Sequence, residues 1–164
     1  MVSIEDKLRE ESKKIISTSD LKYIIGYEKG SDSLRVTPSF AKSLEDIDKF
    51  IFSPFCSNNL TVYLTKPLTE RFIVGKEEKR KRGIVVKGCD SRALVQLIQE
   101  NIVARDSLVI IGIVCEGIVD IGKLAVKLKE LKIHENAKFS SAELVEDKFI
   151  FEIDGKKINI PKQE

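Results

Sequence analysis

The sequence predicts an α/β protein with a central, mainly parallel sheet, helices on both faces of that sheet, and a C-terminal antiparallel β-hairpin. Two apolar, β-branched runs, residues 84–86 and 109–114, are typical of strands buried on both faces. An amphipathic stretch of one helix's length separates them, so strand, helix and strand form a crossover with both strands parallel. Alternating apolar residues on either side of Asp154-Gly155 predict the hairpin.

The first half of the chain is expected to add helices and strands around this crossover. Apolar residues at helical spacing, such as Ile4 and Leu8, predict the first helix, and Ser43 has the side chain of a helix N-cap. We expect Pro38 to close a short return strand. The predicted elements are a helix over 3–17, strands over 21–28 and 34–36 with a turn over 29–32 between them, and helices over 44–47 and 57–64.

Two amphipathic helices are predicted in the second half. The crossover helix over 90–101 and a helix over 121–132 should each bury one apolar stripe, and Asp120 is the predicted N-cap of the latter. The two stripes are Ala93, Leu94, Leu97 and Ile98, and Leu124, Ala125, Leu128 and Leu131.

The C-terminal hairpin has a predicted register. A type I′ turn at Asp154-Gly155 pairs Phe151 with Ile158 and Phe149 with Ile160, which gives the hairpin one apolar face. A third antiparallel strand is predicted over 138–145. We expect one α/β domain over 1–164, in which residues 138–160 form a small, antiparallel mixed-sheet extension of the main domain.

Composition limits the possible functions. Of the 164 residues 42% are hydrophobic, no run approaches a membrane span, and no signal peptide is expected, so we expect a cytoplasmic protein. The net charge of +2 gives no bulk reason to expect nucleic acid as a partner. His134 is the single histidine, which argues against a Ser-His-Asp triad or a His-rich zinc site. The run GKEEKRKR at 75–82 is either a solvated loop or a place where Lys79, Arg80, Lys81 and Arg82 meet phosphate or an acidic partner.

Cysteines give the strongest chemical signal. Cys89 and Cys115 each end one of the two parallel strands, so both should emerge at the carboxyl edge of the sheet, where open α/β folds bind ligands. Cys56 precedes another predicted helix and is a candidate third member. No CxxC pair is present. The three thiols could hold an iron–sulfur cluster with a fourth ligand from elsewhere, act as redox thiols, or simply fill apolar space.

The segment around Cys89 also has the features of an anion site. Gly88 allows a sharp turn out of the strand, and Asp90 or Ser91 is the expected cap of the following helix. The first turn of a helix attracts anions and lowers the pKa of a thiol, and Arg92 adds a positive charge. The carboxylate of Asp90 acts against the thiolate.

Five segments in one order carry a family resemblance: IIGYEKG at 24–30, LRVTP at 34–38, CSNNL at 56–60, KGCDSRAL at 87–94 and IGIVCEG at 111–117. Together they resemble the beta subunit of coenzyme F-420-reducing hydrogenases and the related deazaflavin-linked formate dehydrogenases. That family's Gly-x-x-Cys helix start and later Cys-x-Gly correspond to Val86-Lys87-Gly88-Cys89 and Cys115-Glu116-Gly117.

The resemblance implies an electron-transfer or cofactor-binding subunit of an anaerobic iron–sulfur flavoprotein oxidoreductase. It implies FAD and an iron–sulfur cluster as cofactors, and as partners the other subunits of the complex and a ferredoxin-like iron–sulfur protein. Longer relatives continue into a cysteine-rich ferredoxin segment that this sequence lacks, so the likeness is to one module. The implied roles are catalytic for Cys89 and Cys115, cofactor-binding for Gly88, Asp90, Ser91, Arg92 and Gly117, and metal-binding for Cys56, Cys89 and Cys115.

Two other functions stay open at this point. The chain could be a non-catalytic docking or assembly module whose partner carries all cofactors. It could also be a small-molecule enzyme that uses Cys89 as a nucleophile, although the sequence offers no obvious base to activate that thiol.

Overall fold

The computed structural model describes residues 3–31, 35–65, 80–133, 139–145, 147–153 and 155–162. Its helices are α1 (Ile4–Thr18), α2 (Leu44–Asp48), α3 (Gly88–Gln99) and α4 (Ile121–Glu130), with short 3₁₀ helices at Leu60–Leu64 and Arg105–Ser107. Its strands are β1 (Leu21–Lys29), β2 (Val36–Ala41), β3 (Lys81–Val86), β4 (Leu108–Gly112), β5 (Phe139–Val145), β6 (Lys148–Ile153) and β7 (Lys156–Pro161). No helix in these ranges is long and apolar enough to cross a membrane.

The main sheet has four strands in the order β2-β1-β3-β4. Strands β1 and β4 both pair parallel with β3, whereas β2 pairs antiparallel with β1. Strands β5, β6 and β7 form a second, antiparallel sheet. The α/β class, the mainly parallel sheet and the hairpin with its third strand are therefore confirmed, although the sheet of the tail is wholly antiparallel rather than mixed. Helices on both faces and a single domain stay predictions.

The return strand differs from the prediction because Pro38 lies inside β2 instead of closing it. Pro38 pairs with Tyr27 of β1, whose carbonyl accepts a hydrogen bond from the N–H of Ile51 (2.9 Å) on the side away from β2. The Tyr27–Pro38 pair is therefore a non-hydrogen-bonded one, and the missing N–H of Pro38 falls on the outer side of an edge strand. Leu34, the predicted start of this strand, lies outside the described residues.

Three helices begin where their caps predict. The side chains of Ser3, Ser43 and Asp120 accept a hydrogen bond from the N–H three residues ahead and start α1, α2 and α4. The helix predicted over 57–64 is shorter, since Asn59 caps a 3₁₀ turn by accepting from the N–H of Thr61 at 3.0 Å. Helix α3 begins two residues earlier than predicted, and β4 ends two residues earlier, at Gly112.

The predicted apolar stripe is confirmed in full for α3 and only in part for α4. In α3, Leu94 is buried and Ala93, Leu97 and Ile98 are half-buried, which confirms the stripe. In α4 only Leu124 and Leu128 are buried, whereas Ala125 and Leu131 are exposed, so that stripe was predicted too wide. The reason is that α4 packs onto a small cluster and covers it with one i, i+4 pair.

The charge run is partly strand. Lys81 and Arg82 open β3, so the loop interpretation is wrong for them, and Arg82 donates hydrogen bonds to the carbonyl of Leu64 (3.0 Å) and to Ser107 Oγ (3.5 Å). Residues 75–79 lie outside the described residues, as does His134.

Two apolar clusters hold these elements together. The larger one is built on β1 and β3 and receives residues from α1, α3 and the 3₁₀ helix at 60–64. The smaller one joins α4 and the second sheet to Phe55 and Val119, and the rings of Phe55 and Phe151 lie 6.0 Å apart. Phe151 pairs with Ile158, and Phe149 with Ile160, as predicted. Gly155 supplies the positive φ (75°) that the turn requires, while Asp154 is not among the described residues.

The larger cluster generates a stability prediction at Gly26 on β1. A Cβ at this position would lie 2.6 Å from Cζ of the fully buried Phe50 ring. We expect Gly26→Ala to lower the free energy of unfolding by about 1–3 kcal/mol, because an overpacked core forces its neighbours to shift. Urea unfolding followed by circular dichroism measures this.

Gly112→Ala is the matched control, since a Cβ there would meet no atom within 4 Å. Its free energy of unfolding should change by less than about 0.5 kcal/mol. Equal effects of the two substitutions would contradict the packing described for Phe50.

Candidate functional site

The candidate site lies at the carboxyl edge of β3 and β4. The two strands are direct neighbours, with Val86 opposite Gly112, and the N–H of Ile113 donates to the carbonyl of Val86 at 3.0 Å. Just beyond this contact, the segment after β3 starts α3. The segment after β4 continues as residues 113–120, which form neither helix nor strand. Cys89 and Cys115 thus follow neighbouring strands at one edge.

The three cysteines differ in exposure. Cys89, in the first turn of α3, is exposed, and its Sγ donates to Asp90 Oδ1 at 3.6 Å. Cys115 is half-buried, and its Sγ donates to the carbonyl of Gly117 at 3.6 Å. Cys56 is fully buried in the larger cluster, where its Sγ accepts from the N–H of Ser53 at 3.4 Å. For Cys56 the apolar-filler interpretation fits best.

The pKa values of two thiols, those of Cys56 and Cys89, are raised rather than lowered. Burial raises the pKa of the Cys56 thiol to about 11. Partial burial, together with the negative charge of Asp90, raises the pKa of Cys89, so the expectation of a lowered thiol pKa at the start of this helix is wrong. Desolvation, and next the neighbouring carboxylate, both disfavour the thiolate form of Cys89.

A metal centre receives no support from the geometry. Among the described residues, no group of three Cys, His, Asp or Glu side chains could hold a metal ion. Ligating thiols must be deprotonated, and Cys56 is shut in the core with its pKa raised. Cys56, Cys89 and Cys115 therefore do not fit a metal site in this arrangement.

A buried cation that the sequence analysis missed, Lys87, lies between the end of β3 and the start of α3. Lys87 is 1% exposed, and its Nζ donates to Tyr27 Oη and to the carbonyl of Asn58 (2.8 Å). The same Nζ lies 3.0 Å from Asp90 Oδ2 and 4.7 Å from the centre of the Tyr27 ring. Tyr27 Oη in turn donates to the carbonyl of Asn58 at 2.6 Å. A lysine inside the apolar run IVVKGC was the available signal, because lysine is almost never fully buried without a partner.

This cluster changes the role of Asp90. The N-cap of α3 is Lys87, and Asp90 is the third residue of the helix, so the prediction that Asp90 or Ser91 caps it is wrong. Asp90 is 3% exposed and turns towards the Lys87 ammonium rather than towards solvent. Burial, and next the charge of Asp90, raise the pKa of Tyr27, which keeps its phenol protonated. The cluster thus balances one positive against one negative charge.

The outer side of the helix start is open. A Cβ added at Gly88 would meet no atom within 4 Å, and Arg92 is exposed. Ser91 Oγ donates to the carbonyl of Gly88 at 2.7 Å. The first N–H groups of a helix have no partner within it, so the start of α3 at Gly88 is open to solvent, with the exposed Ser91 and Arg92 following in the next turn. Gly117 instead faces the second sheet, since a Cβ there would lie 3.4 Å from Leu144 Cδ2.

The buried pair of Lys87 and Asp90 generates a stability prediction. Lys87→Met should lower the free energy of unfolding by about 3–5 kcal/mol, since it leaves Asp90 as an uncompensated buried charge. The double variant Lys87→Met/Asp90→Asn should recover part of this loss. Urea unfolding of both, with Lys7→Met on the exposed surface of α1 as control, tests the pair. A double variant no more stable than Lys87→Met would contradict it.

The raised thiol pKa values generate a prediction about reactivity. The thiolate is the reactive form, so alkylation of Cys89 by iodoacetamide should follow a titration whose midpoint lies above the ordinary value of 9.0. Cys56 should stay unmodified until the protein unfolds. Mass spectrometry of peptides after timed alkylation at a series of pH values gives both rates. A Cys89 midpoint below the ordinary value would contradict the electrostatics described.

Comparison with known proteins gives a fold-level match. No family model and no curated protein sequence matches this chain. Among solved structures, a chain of the F420-reducing [NiFe] hydrogenase complex from Methanosarcina barkeri is similar, with a TM-score of 0.67 and 16% sequence identity. The match covers 96% of this chain and 56% of that chain, so the protein spans little more than half the length of its structural neighbour. At this identity the likeness shows a shared fold.

Proposed function

We propose that this chain is the cofactor-binding module of an oxidoreductase complex related to the F420-reducing hydrogenases. In this proposal the carboxyl edge of β3 and β4 binds the pyrophosphate of FAD at the start of α3. The observation that carries it is the fold likeness over 96% of the chain, at a TM-score of 0.67, to a chain of such a complex. The order of the five sequence segments supports the same family.

The residues at the start of α3 fit the phosphate end of a flavin. Gly88 leaves open space beside the free N–H groups of the first turn, where phosphates bind readily. Arg92 is an exposed cation on the same helix and can form charge-assisted bonds to a phosphate. When bound, FAD would supply the electron-transfer chemistry, and the chain would hold and orient it.

The chain's own cysteines have no cluster-binding role in this proposal, because the described residues do not fit a metal centre. Iron–sulfur clusters would belong to the partners: other subunits of the complex and a ferredoxin-like iron–sulfur protein. This division is favoured by the structural neighbour, which is itself one chain of a hydrogenase complex.

A second candidate function is a docking or assembly module whose partners carry every cofactor. The absence of a metal-binding group among the described residues agrees with both candidates. The two candidates differ in one measurable property, which is whether the start of α3 binds FAD.

Titration of the reduced protein with FAD, followed by flavin fluorescence and by calorimetry, tests the proposal. Arg92→Ala should weaken FAD binding by about tenfold, which corresponds to about 1.4 kcal/mol. Gly88→Ala should also weaken binding, because the added methyl group occupies the open space, while the stability of the fold stays the same or rises slightly.

Two control variants keep the result interpretable. Lys7→Ala removes one exposed positive charge from α1, and Gly122→Ala changes a glycine in the first turn of another helix. Both should bind FAD like the parent protein. If the parent binds no FAD, the docking function is the better account. If the parent binds FAD but Arg92→Ala and Lys7→Ala behave alike, the proposed site at the start of α3 is wrong.

A further inference from the structure

We propose that Cys89 and Cys115 form a reversible intramolecular disulfide across the carboxyl edge of β3 and β4. The pair would be a two-electron redox centre made of the protein's own atoms. The proposal does not depend on FAD binding, since it concerns how the two chain segments leave the sheet.

The strand register brings the two cysteines near each other. The hydrogen bond from Ile113 N–H to the carbonyl of Val86 extends the parallel ladder one step past Gly112, so Lys87 and Ile113 lie side by side. From these positions, each segment continues for two residues to its cysteine. Neighbouring strands are about 4.8 Å apart, and a disulfide requires a Cα–Cα distance of about 4.4–6.8 Å. The two segments therefore start, two residues before their cysteines, from a separation of the size that a disulfide requires.

The backbone around Cys115 can accommodate the remaining adjustment. Cys115 lies in the stretch 113–120 that has no regular secondary structure, and a single weak contact, from its Sγ to the carbonyl of Gly117 at 3.6 Å, holds its thiol. Cys89 is held by an equally long contact to Asp90 Oδ1. Closing the bridge costs these two weak bonds and no bond of the sheet.

Cys56 is not a competitor for either thiol. It is fully buried in the larger apolar cluster, whereas Cys89 is exposed and Cys115 half-buried. Burial is the largest cause of the raised pKa of Cys89, the charge of Asp90 is the next, and a Cys115 thiolate acts in the same direction. A disulfide removes the last contribution, because neither sulfur then carries a charge.

The chemistry balances through thiol–disulfide exchange with a small-molecule disulfide as the oxidant. The thiolate of exposed Cys89 attacks one sulfur of the oxidant, forms a mixed disulfide and releases one thiolate. Cys115, after losing its proton, attacks the Cys89 sulfur of that mixed disulfide and releases the second thiolate. The protein loses two protons and two electrons, and the oxidant is reduced to two thiols.

The experiment uses the full chain equilibrated with mixtures of reduced and oxidised glutathione, quenched with acid and labelled with a maleimide under denaturing conditions. We expect a species lighter by two hydrogen atoms with one labelled thiol, and after trypsin a linked pair of peptides, 88–92 joined to 106–123. The Cys56 peptide should carry the label. Reduction with dithiothreitol should restore all three labels.

Single variants identify the partners. Cys89→Ser and Cys115→Ser should each abolish the linked peptide pair, and Cys56→Ser should retain it. Circular dichroism of each variant confirms that the fold is kept. A bridge that includes Cys56, a bridge between two chains, or a glutathione adduct on Cys89 that never closes would overturn the proposal.

Discussion

The ammonium group of Lys87 is the constraint on which the candidate edge depends. It joins three distant segments, since it contacts Tyr27 on β1, the carbonyl of Asn58 and the carboxylate of Asp90 on α3. A fully buried lysine is tolerated only when such partners compensate its charge. Because Asp90 must turn inward to meet it, α3 starts at Gly88 and presents Cys89 and Arg92 outward. One internal ion pair thus decides which residues of the KGCDSR segment are available to a ligand.

The same constraint explains where sequence reasoning succeeded and where it failed at the site. Hydrophobic periodicity was sufficient to predict two parallel strands with a helix between them, and the Asp-Gly turn predicted the hairpin register. Periodicity carries no information about a polar group inside an apolar run. It therefore does not predict that Lys87 is buried, nor that Asp90 pairs with Lys87 instead of capping α3. The expectation of a lowered pKa at Cys89 failed for a separate reason: partial burial is the largest cause of the raised pKa, and a thiol's burial cannot be read from periodicity, whereas the opposing charge of Asp90 is visible in the sequence.

Element ends were harder to predict than element types, for local reasons. Side-chain caps fixed the starts of α1, α2 and α4, and these were predicted well. The end of β2 was predicted wrongly at Pro38. An isolated proline marks either the end of a strand or the outer side of an edge strand, and which of the two applies depends on the hydrogen bonds of its partner Tyr27. The stripe of α4 was drawn too wide because the size of the opposing surface cannot be read from the helix itself.

The two sheets meet around the chain segment that carries Cys115. The N–H of Val119 donates to the carbonyl of Pro54 (2.8 Å), and Val119 and Phe55 pack into the same cluster as β6 and β7. Lys162, just after β7, reaches the carbonyl of Glu116 at 3.4 Å. The C-terminal sheet therefore contacts the irregular segment after β4 from one side, at Glu116 and Val119, without imposing regular structure on it.

Pro38 also has a consequence for how the main sheet could grow. A strand approaching the outer side of β2 would find no N–H at this position, so pairing there is interrupted. The opposite border is β4, whose sequence LVIIG contains neither proline nor a charged residue. Among the described strands, the two borders of the main sheet therefore differ, since main-chain pairing is interrupted beside β2 and meets no proline or charged side chain of β4.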